Sequence, residues 1–594
     1  MLTGLGFRTP NDLEVTPGYP KRVLVIGSCL IASIPENIQR HWPGCEADWI
    51  ALNNLQPLPE QPPQPLDTYD FQLIQTSTRA FWRDTEHLML SQERLHDWQQ
   101  LQTTAVERLR LIMHELMRYN RERGVLTFVA NFFVPTVNPA GRLLPRNDHR
   151  NLVFFFEELN RALAEIVGGY ANAYILDVDA IAASLGKRYI LDEAMWISTH
   201  NAVYGVTDDP LDGKRLEPVA PQLSKFESKA YEFILECLHE LRASFRSVRG
   251  TDAIKLVVTD LDDTLWRGVS GEWDGPVFSD GWPNGYAEAL AFLRQRGVLL
   301  AVISKNDPQT VMGRWSSLLP PEQFSVLMIN WTDKPTNMQE VLATTNLLPH
   351  NVLFIDDNPA ERQAMQAAYP TMRVLGRDPH VLRRILLWSP ELQSGGISRE
   401  SAQRSAMVEG QIRREAQRQQ LDRGSFLAGL KLRLRPLPLM GMGSDSASRC
   451  LELINKTNQF NTTGERWTHE GLAAALAAGA QLWGFDITDV HTPYGITAVA
   501  VLQPGLVRQM VVSCRVFGLG IEETLLQLLA RAQPWPDQLL SMAFAETGRN
   551  QVALQNLTSA GLQRQADRLV VPLAAMKPMP DHITVEAIQA VAGG

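Results

Sequence analysis

Three aspartates and a threonine follow an unbroken apolar run in "LVVTDLDDTLWRG", residues 256–268. Carboxylates crowded this closely repel one another and retain protons unless a cation sits among them. A hard divalent ion with oxygen ligands answers that need, and Mg2+ is the usual choice where phosphate is the other partner. Asp260 and Asp356 offer side-chain oxygens, Asp262 its backbone carbonyl, and Asp357 stands beside Asp356 in "FIDD". Asp260 keeps a second oxygen with which to attack phosphorus and form an aspartyl-phosphate. Asp262, two residues on, is placed to protonate the leaving oxygen and later to activate water. Thr264, Ser304, Lys305 and Asn306 supply hydrogen bonds to phosphoryl oxygens, and Lys334 neutralises charge that builds in the transition state.

These groups must be carried by a common frame. Asp260, Ser304 and Asp356 each end a short apolar run, "IKLVVTD", "VLLAVIS" and "NVLFIDD", while Lys334 lies just beyond "SVLMIN". Such runs read as strands buried on both faces. With helices between them they form a parallel α/β sheet, whose reactive groups gather at the carboxyl ends of the strands. A last strand is expected at "TMRVLG". The segment between the first two motifs, about forty residues with one helix, leaves no room for a bulky cap, so the site should be open to a macromolecular substrate.

At 594 residues the chain exceeds one core, and roughly three or four domains are expected. Upstream, "RVLVIGSCL", "FQLIQTS", "GVLTFVANFF" and "AYILDVDAIAASLG" alternate with helical segments near 89–122 and 151–167, implying a first parallel α/β sheet. "LNNLQPLPEQPPQPLDTYD" is too rich in proline for regular structure. From 393 a polar Gln- and Arg-rich stretch reads as linker and exposed helix. Beyond it, "QLWGFDITDV", "GITAVAVLQ" and "RQMVVSCRVFG" read as strands and "IEETLLQLLARA" as a helix, a mixed α/β pattern. The domains expected are therefore 1–248, 249–392, a linker at 393–425, and 426–594.

The net charge of −9 is spread along the chain and argues against nucleic-acid binding. Five dispersed cysteines, with no CxxC pair, indicate neither a disulfide framework nor structural zinc. No apolar run reaches the ~20 residues that span a bilayer, and the N-terminus lacks a signal-peptide core. A cytoplasmic protein is expected.

The segments "DLDDTLWRGVSGEWDG", "SKND", the later Lys334 and "FIDDNPAER" resemble the four motifs of the haloacid dehalogenase (HAD) superfamily, most closely its FkbH-like branch. "ELINKTNQFNTTGERW" and "VVSCRVFGLGIEE" are similar to two further FkbH-like signatures. The resemblance implies a HAD Rossmann-like doubly wound sheet without a large cap, followed by a GNAT-like acyl-transfer domain. It implies an enzyme that takes the glyceryl unit of 1,3-bisphosphoglycerate, a phosphorylated three-carbon acyl donor. The remaining phosphate is removed at the Mg2+ site, and the acyl group is left as a thioester on the phosphopantetheine arm of an acyl carrier protein, for polyketide or related biosynthesis. Cys514 is then the acyl-carrying thiol, with Arg515 beside it to favour the thiolate. Asn455, Lys456, Thr457, Asn458, Gln459 and Asn461 become the acyl-binding groups. One departure is Leu519, where the family pattern leads one to expect a second Arg. The alternatives are a Mg2+-dependent phosphatase of a small metabolite and a non-catalytic assembly-line scaffold.

"VIGSCLIAS" places Ser28 where SGNH-type hydrolases carry their nucleophile, with Asn131 as oxyanion-hole group and His200 as base. Gly-Ser-Cys replaces the usual Gly-Asp-Ser, and Ile197 stands three residues before His200, so no Asp-x-x-His orients that histidine. The expectation is a non-hydrolytic SGNH-like domain that docks or positions substrate, with Cys29 a second-choice acyl thiol after Cys514.

Overall fold

The structure is a computed structural model that describes residues 8–52, 57–83, 86–190, 212–218, 229–270, 272, 285–315, 319–345, 347–393, 423–457, 459–490, 493–513, 516–517, 519–548 and 550–587. The chain divides into two compact units. The first comprises Met1–Gln323, Leu327–Asn337 and Leu347–Gly396, and the second Phe324–Val326, Met338–Asn346 and Ile397–Gly594.

The first sheet is built from β1 (Arg22–Gly27), β2 (Glu46–Ala51), β3 (Phe71–Ile74), β4 (Thr127–Ala130) and β5 (Ala173–Leu176). Its order is β2-β1-β3-β4-β5, and every neighbouring pair is parallel. β3 and β4 are buried at every residue, as the continuous apolar runs demand. β2 has only Ile50 buried. As a half-exposed edge strand, "EADWIA" carries no apolar run for a sequence reading to find. Flanking helices include Leu95–Leu116 and Leu152–Gly168. The latter starts where the Asn151 side chain accepts from Val153 N at 3.0 Å, and it buries Phe155, Phe156, Leu159 and Leu163.

The second sheet contains β6 (Leu256–Thr259), β7 (Leu299–Ser304), β8 (Val326–Ile329), β9 (Val352–Ile355) and β10 (Arg373–Leu375), in the order β10-β9-β6-β7-β8. β6, β7 and β9 are buried throughout. Three of the helices that follow these strands begin with a side-chain cap and a proline in the first turn: Asp307 before Pro308–Arg314, Asn358 before Pro359–Ala368 and Asp378 before Pro379–Trp388. Those three side chains serve helix starts, which separates them from the carboxylates available for chemistry. Between β6 and β7 the described residues form turns and the helix Tyr286–Gln295.

Within this first unit, the guanidinium of Arg246 is 2% exposed. It lies 2.8 Å from Glu391 Oε1, whose side chain is 0% exposed, and 3.3 Å from Asp252. The helix Ala230–Arg249 is thereby tied to the segment that closes the second sheet, through a pair whose charges would be costly to leave alone.

The second unit holds a mixed sheet of β11 (Leu432–Leu439), β12 (Gln481–Thr488), β13 (Pro493–Gln503), β14 (Leu506–Val512), β15 (Leu539–Ala543), β16 (Gln563–Gln565), β17 (Arg568–Pro572) and β18 (Ile583–Val585). The order is β16-β17-β15-β14-β13-β12-β11-β18. β11 to β14 form an antiparallel meander. The helix Ile521–Ala532 then carries the chain across to β15, which lies parallel to β14 and pairs with it only at Val507 and Met542. Of the expected linker and exposed helix at 393–425, residues 394–422 lie outside the described residues, and its last residues begin the helix Arg423–Leu430.

Candidate active site

Strand register brings two aspartates together. β6 and β9 are parallel neighbours with Thr259 beside Ile355, so Asp260 and Asp356 leave the same sheet edge side by side. The Asp260 N–H donates to the Ile355 carbonyl at 2.9 Å and extends the ladder by one step. In this strand order β6 and β9 flank the point where the chain runs off in opposite directions, which opens a crevice at the carboxyl edge. Gly376 follows β10 with φ +120°, and a Cβ there would lie 2.0 Å from the Asp356 carbonyl oxygen. Only glycine allows that strand end so close to the site.

One carboxylate oxygen from each of Asp260, Asp356 and Asp357 lies within 4.8 Å of the other two. Lys334, first residue of the helix Lys334–Thr345, sends its buried ammonium 2.5 Å from Asp356 Oδ2 and 3.1 Å from Asp260 Oδ2. The other oxygen of Asp356 accepts from Asn358 N at 2.9 Å. Asp260 Oδ1, in contrast, is buried and meets no hydrogen-bond geometry with any described residue, although Leu261 N and the Ser304 hydroxyl lie near enough to favour the carboxylate. Burial pushes the Asp260 carboxyl up to about 7 although Lys334 pulls it down, and Asp356 pushes it further up. Burial, with Asp356 and Asp263 nearby, likewise raises Asp357. Burial works against the Lys334 ammonium, but Asp260 and Asp356 outweigh it and hold its pKa above the ordinary value. Three carboxylates, two of them buried, against one ammonium leave an excess of negative charge, together with one buried oxygen that has no partner among the described residues. Hard oxygen donors in that state fit Mg2+.

Asp262 faces a different set of groups. Its carboxylate accepts from Trp266 Nε1 at 2.9 Å, Ser270 N at 3.0 Å, Ser270 Oγ at 2.7 Å and Asn306 Nδ2 at 2.9 Å, and it is not one of the three clustered carboxylates. Asn306 also reaches Ser304 Oγ at 3.2 Å, so its amide links the end of β7 to Asp262. The turn between is tight: Asp263 has φ 46°, and its carboxylate accepts from Gly268 N at 2.8 Å. Thr264 Oγ1 accepts from Asp357 N at 3.2 Å, joining the first motif to the fourth. Lys305 is drawn to Glu361 at 2.7 Å, so its ammonium is paired away from the aspartates.

Several contributors are not singled out by sequence reasoning. Tyr286 OH donates to Thr259 Oγ1 at 2.9 Å, and that hydroxyl donates to the Asp260 carbonyl at 2.7 Å, which steadies the backbone under Asp260. Arg362 donates to the carbonyls of Asp356 and Asp357 at 2.7 and 2.5 Å. The signal for Arg362 is its place in "DDNPAER", one helical turn after the aspartates. Trp266, held edge-on against Trp315 with centroids 5.4 Å apart, carries the indole N–H that anchors Asp262.

In the second unit the polar segment 455–461 is engaged with its own fold. Asn455 exchanges hydrogen bonds with the Trp467 backbone at 2.8 and 3.0 Å. Asn461, fully buried, donates to the Thr457 carbonyl at 3.2 Å and accepts from Gly464 N and Gln509 Nε2 at 2.9 and 2.8 Å. These two amides pin the loop to the sheet, which corrects their expected role as acyl-binding groups. Thr457 ends the helix Asp445–Lys456, and Gln459 is exposed. The Lys456 side chain, Asn458, Cys514, Arg515 and His200 lie outside the described residues.

At the first sheet, Ser28 follows β1 and is 7% exposed. Its hydroxyl donates to Gln75 Oε1 at 3.1 Å, an amide oxygen that cannot take a proton as a catalytic base would. Asn131 gives Nδ2 to Asp177 Oδ1 at 2.8 Å, and its Oδ1 accepts from Asp179 N at 3.3 Å. That amide therefore joins the ends of β4 and β5, and both of its ends are occupied, in place of the expected oxyanion-hole role. Cys29 is exposed.

No protein-family model and no curated protein matches the chain. Solved structures similar to parts of it include the N-terminal, phosphatase-domain-containing part of a Bacteroides fragilis protein complexed with Mg. That structure is 18% identical with a TM-score of 0.41, over 65% of this chain and 98% of that one. Another is the 3-deoxy-D-manno-octulosonate 8-phosphate phosphatase of Moraxella catarrhalis, in complex with magnesium, phosphate and KDO. It is 17% identical with a TM-score of 0.20, over 25% of this chain and 92% of that one. A HAD-superfamily hydrolase from Geobacter sulfurreducens is 14% identical with a TM-score of 0.17, over 22% of this chain and all of that one. Among the described residues, no helix is long and apolar enough to cross a membrane.

Proposed function

We propose that the second sheet carries a Mg2+-dependent phosphatase site of the HAD type, with Asp260 as nucleophile. The observation that carries this reading is the convergence of Asp260, Asp356 and Asp357 within 4.8 Å of one another, with Lys334 bridging two of them and Asp260 Oδ1 buried without a hydrogen bond among the described residues. Asp260, Asp356 and Asp357 would hold the ion, which screens the carboxylates and the phosphoryl oxygens from one another.

Asp260 attacks phosphorus; the P–O bond to the substrate alcohol breaks and an aspartyl-phosphate forms. Asp262 gives its proton to the departing alkoxide and then takes one from the water that hydrolyses the acyl phosphate, so that inorganic phosphate leaves and Asp260 is restored. Lys334 balances the charge that builds on the equatorial oxygens. For this, Asp262 must exchange the donors of Trp266 and Ser270 for the substrate oxygen, a local turn of the segment 262–270. Ser304, Asn306 and Thr264 complete the phosphate surroundings.

The finer reading takes the FkbH-like resemblance into account. The substrate is a phosphorylated glyceryl unit, delivered by 1,3-bisphosphoglycerate and carried as a thioester, first on Cys514 and then on the phosphopantetheine arm of an acyl carrier protein. An acyl phosphate is already activated, so a thiolate takes the acyl group with loss of inorganic phosphate. Beyond their one paired position β14 and β15 are bridged by residues 460–462, through Thr462 N to the Met510 carbonyl, Val512 N to the Phe460 carbonyl and Ala545 N to the Thr462 carbonyl, so this reading rests on the likeness of the segments 452–467 and 511–523 to the FkbH-like signatures. A SGNH-like first domain and a GNAT-like last domain in the cytoplasm belong to the same reading. The internal use of Asn455 and Asn461 favours a second one: a phosphatase of a small phosphorylated metabolite with no acyl transfer.

Incubation with Mg2+, 1,3-bisphosphoglycerate and a holo carrier protein, followed by intact mass, separates the two. A glyceryl adduct on the carrier supports loading, and phosphate release without an adduct supports the metabolite phosphatase. Absence of any Mg2+-dependent phosphate release, from this donor or from p-nitrophenyl phosphate, would overturn both.

A further inference from the structure

The first sheet also has a switch point. In the order β2-β1-β3-β4-β5 it falls between β1 and β3, and in open parallel sheets the crevice at such a point is where ligands settle. A pocket of about 360 Å3 opens there. Leu52 after β2 and Gln75, Thr76 and Ser77 after β3 form one side, and Leu111, Ile112, Glu115 and Leu116 of the helix Leu95–Leu116 form the other. The volume is at the small end of the ~300–1,000 Å3 range of small-molecule sites. At roughly 30 Å3 per water-sized group it holds about a dozen non-hydrogen atoms.

The lining specifies the ligand. Six of its ten described lining residues are apolar, so most of the occupant is hydrocarbon. Gln75 is 7% exposed, and the orientation of its amide is fixed by Ser28: the Ser28 backbone N–H, which can only donate, lies 3.3 Å from Oε1. The close approach needs Gly27, where a Cβ would stand 3.0 Å from both Gln75 O and Gln75 Oε1. With Oε1 occupied, Nε2 of Gln75 donates to no described residue and is left as a donor at the pocket wall. Ser77 Oγ, which makes no hydrogen bond with a described residue, is a second donor on the same wall. Thr76 is already used, donating to Met113 Sδ at 3.6 Å. Among the described lining residues the one charged group, Glu115, accepts from Leu58 N at 3.0 Å and pairs with Arg118 at 3.5 Å. A carboxylate on the wall disfavours an anionic ligand, and two neutral donors favour a carbonyl oxygen.

We propose that this pocket binds an uncharged ligand with a carbonyl head and a short apolar chain, an acyl amide or ester of about ten non-hydrogen atoms. The carbonyl accepts from Gln75 Nε2 and Ser77 Oγ, and the chain lies along Ile112 and Leu116. This site is independent of the phosphatase reading and lies on another sheet.

Calorimetric titration of the full-length protein with octanamide, and separately with octanoate, tests it. Octanamide is expected to bind saturably at one site per chain, and octanoate at least tenfold more weakly. Ala80→Phe, which fills the pocket from its wall, should abolish octanamide binding while phosphate release stays as in the parent. Gln75→Leu should weaken octanamide roughly five- to tenfold through the lost hydrogen bond. Asp260→Asn should leave octanamide binding unchanged, so failure of the phosphatase reading and of this one are told apart. No saturable binding up to the solubility limit overturns the proposal. So does unaltered binding in a folded Ala80→Phe protein. If Ala80→Phe does not fold, equal affinity of the parent and Gln75→Leu for octanamide overturns it; octanoate binding as tightly as octanamide overturns the carbonyl head.

Discussion

Two five-stranded parallel sheets in one chain meet the same topological situation with opposite chemistry. At the β6/β9 edge the strand ends deliver Asp260 and Asp356 side by side, with Lys334 between them. At the β1/β3 edge they deliver Ser28 and Gln75, neutral groups that satisfy each other through one amide oxygen. The first edge is charged and incomplete, since Asp260 Oδ1 makes no hydrogen bond among the described residues. The second is neutral, with an apolar cavity beside it. Topology places a crevice at each switch point, and what fills it follows from the two or three residues after the strand.

The largest expected contrast comes from removing a nucleophile. Asp260→Asn should lower Mg2+-dependent phosphate release by at least ~10³-fold, followed with p-nitrophenyl phosphate, while Ser28→Ala leaves the rate within about twofold. Unchanged turnover in Asp260→Asn would erase the distinction between the edges. Next, Lys334→Met should cost roughly 10²-fold or more in rate by removing the cation aimed at the transferring group. Stopped-flow phosphate detection would show it, and a drop of less than threefold would confine Lys334 to a structural part.

Metal should then stabilise one edge only. Mg2+ at about 100 times its Kd adds ~2.7 kcal/mol to the folded state, and hydrogen exchange should slow around 260–264 and 356–358 but not around 75–80. The pH dependence sharpens this point. Burial raises the Asp260 carboxyl from 3.8 to about 7, so between those values the metal-free fold binds a proton that the unfolded chain does not. Its stability from this group therefore falls as pH rises through that window. Because the ion needs the carboxylate, Mg2+ affinity should rise from pH 6 to pH 8, a trend that titration calorimetry reads directly. The smallest effect expected is on stability in Ser28→Ala, about 1 kcal/mol or less by denaturant melt, for one lost hydrogen bond to Gln75.

Legibility in the sequence follows the same division. The buried strands β1, β3, β4, β6, β7 and β9 stand out as apolar runs, because burial on both faces leaves no other composition. β2 does not, since its half-exposed edge position removes the run, and neither do β16 and β18, three residues each at the two edges of the mixed sheet. Asp260, Asp356 and Lys334 are readable because their chemistry sits directly after strands whose register is set by those runs. The tether of Asp262 is not, because it depends on an indole and a serine several residues onward. Nor does sequence tell whether an amide serves a ligand or its own loop. Asn455, Asn461 and Asn131 all turn inward to backbone or neighbouring carboxylates, and only contacts reveal that. Gln75 shows the converse, an ordinary residue in sequence that gains meaning from Gly27 and Ser28 across the sheet.

The central claim is that carboxylates from β6 and β9 hold one divalent ion. Titration with Mn2+ followed by electron paramagnetic resonance tests it most directly, on the parent protein and on folded Asp260→Asn, Asp356→Asn and Ser28→Ala variants. One competitively Mg2+-displaceable site per chain is predicted in the parent and in Ser28→Ala, and its loss in both aspartate variants. A site that survives in Asp356→Asn with parental affinity, or no site in the parent, would contradict the account.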